Sequence, residues 1–168
     1  DLETRLELLF GDAFGQVTID NVKIELAMEL EDFLPTISGE IVDGGFDNTP
    51  AQLPAELQDA AFADITDSGF WYEYNAGWSN MVGSAAVADG KLVVDVTTLS
   101  DQGPQSWHLM VKQKGITLEK GTLYMVSFEA VAAVERPMHV GFNGLPAETL
   151  MLSTELKLYQ VPLFYEGD

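Results

Sequence analysis

Apolar and polar residues alternate along this chain in short runs, each broken by a turn dipeptide, and helical spacing is nearly absent. Lys91-Leu92-Val93-Val94-Asp95-Val96-Thr97 follows Asp89-Gly90, a pair suited to a two-residue hairpin, and reads as a strand. Trp107 to Gln113 alternates, stops at Lys114-Gly115 and resumes from Ile116 to Leu118, after which Glu119-Lys120-Gly121 supplies a turn. The run from Tyr124 to Ala130 sets Tyr124, Val126, Phe128 and Ala130 on one face, taken as the core side, with Ser127 and Glu129 on the other. Met138 to Asn143 and Leu158 to Phe164 complete the later strands. Short strands punctuated in this way predict an all-β chain folded as an antiparallel sandwich.

The opening residues complicate that order. Arg5 to Gly11 and Gln16 to Leu26 read as the closing pair of strands of such a sandwich, yet they come first. Joining the last strand to these two restores a complete order, so the pattern predicts a circularly permuted domain or one that exchanges strands. Residues 1–26 are then closing strands for this chain or for a neighbour, residues 27–40 a connector and residues 41–168 the main body. The connector from Ala27 to Gly39 is acidic and contains Pro35, and Pro50 to Ala63, rich in Ala, Gln and Glu, suits a surface loop or short helix.

Composition narrows the chemistry. A chain of 168 residues suits one domain that buries roughly two thirds of its unfolded surface. Charges throughout Asp1 to Phe10 do not fit a signal peptide, which suggests a processed piece, and no apolar run is long enough to span a membrane. The absence of cysteine removes disulfides and thiol chemistry. A formal charge of −19 repels phosphate backbones and anionic lipid, so nucleic acid is not an expected partner.

The ordered set Asp43-Gly44-Gly45-Phe46-Asp47, the aromatic stretch near Trp71, Asp89-Gly90-Lys91-Leu92-Val93-Val94, Trp107-His108-Leu109 with Gln113, Leu118-Glu119-Lys120-Gly121, Tyr124 to Ala130 and Arg136-Pro137-Met138-His139-Val140 resembles carbohydrate-binding modules of families four, nine and twenty-two. Those are non-catalytic jelly-roll modules of secreted glycoside hydrolases, so the resemblance implies that the sandwich is a jelly roll. The resemblance covers residues 41–168 and, wrapped round, 5–26, and it departs from the family in placing the closing strands first. It implies an extracellular, secreted or cell-surface location and a structural calcium ion. By motif the ion would be shared by Asp20 and Asp47, with a carbonyl near Lys91 as a further ligand. The alternative for these residues is an exposed strand carboxylate and a turn hydrogen bond.

A pyranose offers apolar C–H faces rimmed by hydroxyls, so a receptor for it needs flat aromatic faces with polar groups at the edge. Trp107, which follows Gly103-Pro104-Gln105-Ser106, is the leading platform, at the position where the resemblance places ligand contact. Phe142, Trp78, Tyr74 and Trp71 are further candidates, Trp71 being equally suited to the core. His108, Gln113, Glu129, Arg136 and Asn143 are the polar candidates, while His108 and His139 each stand singly, as structural histidines do. Acids are abundant, but none sits in a compact catalytic motif, and neither a nucleophile elbow nor a His-Glu-x-x-His signature is present. The expectation is therefore a non-catalytic module that binds β-glucan or xylan and carries a parent hydrolase to its substrate. The alternative is an extracellular assembly subunit that polymerises by donating residues 1–26 to another copy.

Overall fold

A computed structural model describes residues 4–26, 44–46, 63–66, 70–143 and 147–167. Eleven strands run in the order β1 (Leu6–Leu9), β2 (Gly15–Leu26), β3 (Ala63–Asp64), β4 (Trp71–Asn75), β5 (Val82–Ala88), β6 (Lys91–Thr98), β7 (Leu109–Gln113), β8 (Thr122–Ala132), β9 (Arg136–Phe142), β10 (Glu148–Leu152) and β11 (Lys157–Tyr165). They form two antiparallel sheets packed as a sandwich, one six-stranded with the order β10-β9-β1-β7-β4-β3 and one five-stranded with the order β11-β8-β2-β6-β5. The all-β sandwich read from the alternation is the fold observed.

Both opening strands lie inside the sheets. β1 sits between β7 and β9, with Leu8 opposite Val111 on one side and Val140 on the other. β2 sits between β6 and β8, with Val17 opposite Val94 and Ala132. In this structure they are received by their own chain, and Leu6, Leu8, Phe10, Val17, Ile19 and Val22 join Val126, Phe128 and Val161 in one buried cluster. Burying each of these side chains contributes about 1.5–3 kcal/mol before entropy is counted.

Local chemistry accounts for the strand details. β2 turns Val17 and Ile19 inward and then Val22 and Ile24, a one-residue change of phase. The extra residue is a bulge between Asp20 and Lys23, where Asn21 takes φ +54°, a left-handed conformation that asparagine tolerates. Asp89 and Gly90, at φ +52° and +68°, close the β5–β6 hairpin between the paired residues Ala88 and Lys91. Two positive φ values give the turn a twist that matches its strands.

The structure differs from the strand reading at several points. The strand expected from Trp107 begins at Leu109, because Ser106–His108 coil into a 3-10 turn. Ile116 to Leu118 form no strand, although Ile116 is buried. β3, β4, β5 and β10 are additional. The expected connector 27–40, Asp47 and nearly all of Pro50 to Ala63 lie outside the described residues.

Arg136, expected to face a ligand, is buried and binds backbone instead. Nη2 donates to the Phe10 carbonyl at 2.5 Å and Nη1 to the Gly15 carbonyl at 2.7 Å, fastening the loop that carries the chain from one sheet to the other. Burial lowers its guanidinium pKa, against which Asp12 and Asp95 act. His139 fastens the same loop to β9 and β10, its Nε2 2.6 Å from Asp12 Oδ2 and its Nδ1 2.9 Å from the Thr149 hydroxyl.

Candidate functional site: a groove on the six-stranded sheet

Strand register builds this site. Leu6, Leu8 and Val111 point into the core, so Glu7, Leu9, Met110 and Lys112 must face outward. Pairing then sets Lys112 between Glu7 and Tyr72, and Met110 between Leu9 and Tyr74. Over these rows lies an open groove of about 430 Å³, lined by Arg5, Glu7, Leu9, Ser106, Trp107, Met110, Lys112 and Ala147.

Its floor is charged. Glu7 Oε1 accepts from Arg5 Nε at 2.9 Å and lies 3.5 Å from Lys112 Nζ. Lys112 Nζ also stands 4.8 Å from the centroid of the Tyr74 ring, a cation–π contact. A carboxylate buried this far is retained because two cations and a hydrogen bond compensate its lost hydration.

Trp107 stands at the rim, 41% exposed. Its turn is seated by β1, since Gly11 N–H donates to the Ser106 carbonyl and Phe10 N–H to the Leu109 carbonyl, both at 2.8 Å. A β-carbon on Gly11 would meet the Gln105 carbonyl oxygen at 2.5 Å and His108 Cβ at 2.7 Å, so only glycine allows this approach. His108 lies beneath, buried, with its ring 4.4 Å from that of Trp107 in an edge-on contact and 6.4 Å from that of Trp78. Burial holds the His108 imidazole below its ordinary pKa, which favours the neutral ring. Trp78, 51% exposed, belongs to a turn fastened by Asp101, whose carboxylate accepts from the Ser79 hydroxyl and from Asn80 Nδ2.

Trp107, Trp78 and His108 thus come together, with Tyr74 half-buried on the same sheet. Other candidates separate from them. Phe142 is only 2% exposed and packs edge-on against Tyr124 and Tyr165, so it offers no face to a ligand. Trp71 is fully buried, its ring 5.1 Å from Phe46, and Gln113 is equally enclosed. Glu129 belongs to the other sheet, where it accepts from Asn21 Nδ2 at 2.6 Å. Asn143 aligns β1, its Oδ1 accepting from the Arg5 backbone N–H at 2.7 Å.

For calcium, Asp20 is the relevant residue described. One of its oxygens takes the Lys91 ammonium and the other the Asn21 backbone N–H at 2.8 Å. Hydrogen bonding to Asp20 raises the Lys91 pKa. Asp47, the other carboxylate expected to share the ion, lies outside the described residues. Among the described residues no three or more His, Asp or Glu side chains gather as a metal set, and no helix is long and apolar enough to cross a membrane.

Arg5, Glu7 and Lys112 were not among the sequence candidates. The available signal was the spacing Arg5-x-Glu7-x-Leu9, interleaved with the core residues Leu6, Leu8 and Phe10. Comparison with protein-family models, curated proteins and solved structures finds no match, so the reading of the groove rests on its geometry.

Proposed function

We propose that this protein binds a polysaccharide chain without cleaving it, with Trp107 as the stacking platform. The observation that carries the reading is an indole 41% exposed at the rim of an open groove whose floor is a rigid, polar sheet. The indole offers an apolar face to sugar C–H groups, and Arg5, Lys112 and Ser106 offer donors to ring hydroxyls. Chains of the β-glucan or xylan class, extended and flat-faced, suit an open groove. The carbohydrate-binding-module resemblance points the same way, toward an extracellular accessory that concentrates a hydrolase on its substrate.

The non-catalytic reading has its own support. Hydrolysis of a glycosidic bond ordinarily uses two carboxyl groups across the scissile bond, and among the described residues lining the groove the only acid is Glu7, bound to Arg5 and Lys112. Affinity electrophoresis through soluble β-glucan and xylan tests the reading: wild-type protein is retarded and Trp107→Ala runs freely. Equal mobility of the two proteins in every polymer gel overturns it.

A further inference from the structure

The groove inverts the charge balance of the chain. The whole sequence holds 27 acidic and 8 basic residues, whereas the described groove lining holds one acidic side chain, Glu7, and two basic ones, Arg5 and Lys112. Such a reversal on an otherwise anionic surface is not needed to hold a neutral sugar, whose hydroxyls are served as well by amides and carboxylates.

Arg5 gives the reversal a geometry. Its Nε is committed to Glu7, which fixes the guanidinium plane, and its side chain remains 33% exposed in the groove wall. Nη1 and Nη2 have no partner among the described residues. A planar pair of donors held in place is matched by the two oxygens of a carboxylate, in a bidentate contact stronger than one between neutral groups. Trp107 lines the same groove, so the complementary ligand joins an apolar ring face to a carboxylate at its edge. A uronic acid unit has both.

Resting on the carbohydrate-binding reading above, we infer that the groove selects acidic polysaccharide, with Arg5 taking the uronate carboxylate beside the sugar ring stacked on Trp107. The net charge of −19 makes the test clean, because a diffuse surface of this sign does not adsorb a polyanion, and binding must come from a local site. Distant acids are screened beyond about 8 Å at physiological ionic strength, while the part-buried contact is much less so.

The experiment compares glucuronoxylan with the same polymer after reduction of its carboxyl groups, by calorimetry at physiological salt. Wild-type protein binds the acidic polymer about tenfold more tightly, the scale of one charge-assisted bidentate contact. Arg5→Gln binds both polymers equally, at the affinity of wild type for the reduced one. Arg5→Lys, which keeps the charge and loses the fork, retains only a small part of the preference. Trp107→Ala weakens both polymers by the same factor and leaves the preference in place. Thermal melting of each variant establishes that it is folded. Equal affinity of wild type for the two polymers, or a preference that survives in folded Arg5→Gln, overturns the inference and leaves the carbohydrate reading standing. Failure of wild type to bind either polymer overturns the inference, and with no retardation in the β-glucan gel it overturns the carbohydrate reading as well.

Discussion

β1 and β2 are both central strands, yet they differ on their outer faces. β1 is buried at every position, so that Glu7 and Leu9 are as enclosed as Leu6 and Leu8. β2 is buried on one face only, and its outward residues Gln16, Lys23 and Glu25 are exposed. Equivalent places in two sheets of one sandwich therefore serve different ends. The five-stranded sheet closes the core and meets solvent, while the six-stranded sheet closes the core and forms the floor of a second, polar layer. A charged side chain means solvation on β2 and architecture on β1.

Removing the charge from each strand breaks the comparison most directly. Glu7→Ala should destabilise the fold by about 3–5 kcal/mol, since it leaves Arg5 and the buried Lys112 without their shared carboxylate, whereas Glu25→Ala on β2 should stay within about 0.5 kcal/mol. Urea unfolding of the two variants measures the contrast, and equal costs would erase the distinction between the faces. Inward substitutions serve as the control: Leu8→Ala and Ile19→Ala should each cost about 2–5 kcal/mol.

The seat of Trp107 comes next in size. Gly11→Ala forces the turn Ser106–His108 away from β1 and should cost about 1–3 kcal/mol in stability, with polysaccharide binding lost as the platform moves. Trp107→Ala should leave the melting temperature nearly unchanged and weaken binding by about 1–3 kcal/mol, which titration calorimetry reads. Loss of stability without loss of binding in Gly11→Ala would separate the turn from the site.

Acid gives a smaller effect of definite sign. The folded state holds His108 below its ordinary pKa of 6.5, so acidification favours the unfolded chain, which binds the proton more readily. The contribution is complete above 6.5 and is lost as pH falls toward the folded value. Wild type should therefore lose stability below 6.5 more steeply than His108→Gln, and matching slopes from melting curves would refute the assignment. The smallest effect concerns β2: with Lys91 as the partner of Asp20, chelators should leave the melting temperature unchanged. A chelator-dependent fall abolished by Asp20→Ala would restore the ion.

The two strands were also unequally legible in the sequence. β6 and β11 could be read because one wet face gives a clean alternation, and β2 and β8 keep enough of it on either side of the bulge at Asn21 and of the buried Ser127. β5, made of Val82-Gly83-Ser84-Ala85-Ala86-Val87-Ala88, is too small in side-chain volume to signal a face, and β4 carries aromatics on both. Trp107 was legible as an exposed aromatic because a Gly-Pro loop precedes it. Phe142 was misplaced because its exposure depends on Tyr124 and Tyr165, which no local pattern reveals. Arg5, Glu7 and Lys112 escaped for a related reason: what makes Glu7 architectural is β7, a strand remote in the chain, and local spacing does not report remote pairing.

The interior position of the first two strands has a consequence in time. The Thr4 hydroxyl meets that of Tyr165 across 161 positions, and Leu6 opposes Phe142. During synthesis at about 5–20 residues per second, β1 and β2 wait on the order of ten seconds for β8 and β9 to be made. Until β6 and β7 emerge Leu6, Leu8, Phe10, Val17 and Ile19 lie on unpaired strands, and until β8 and β9 follow each strand keeps one open edge. β1 and β2 are made well before the second neighbour of each, so a translational pause before β8 should prolong the period in which their apolar faces lack full cover.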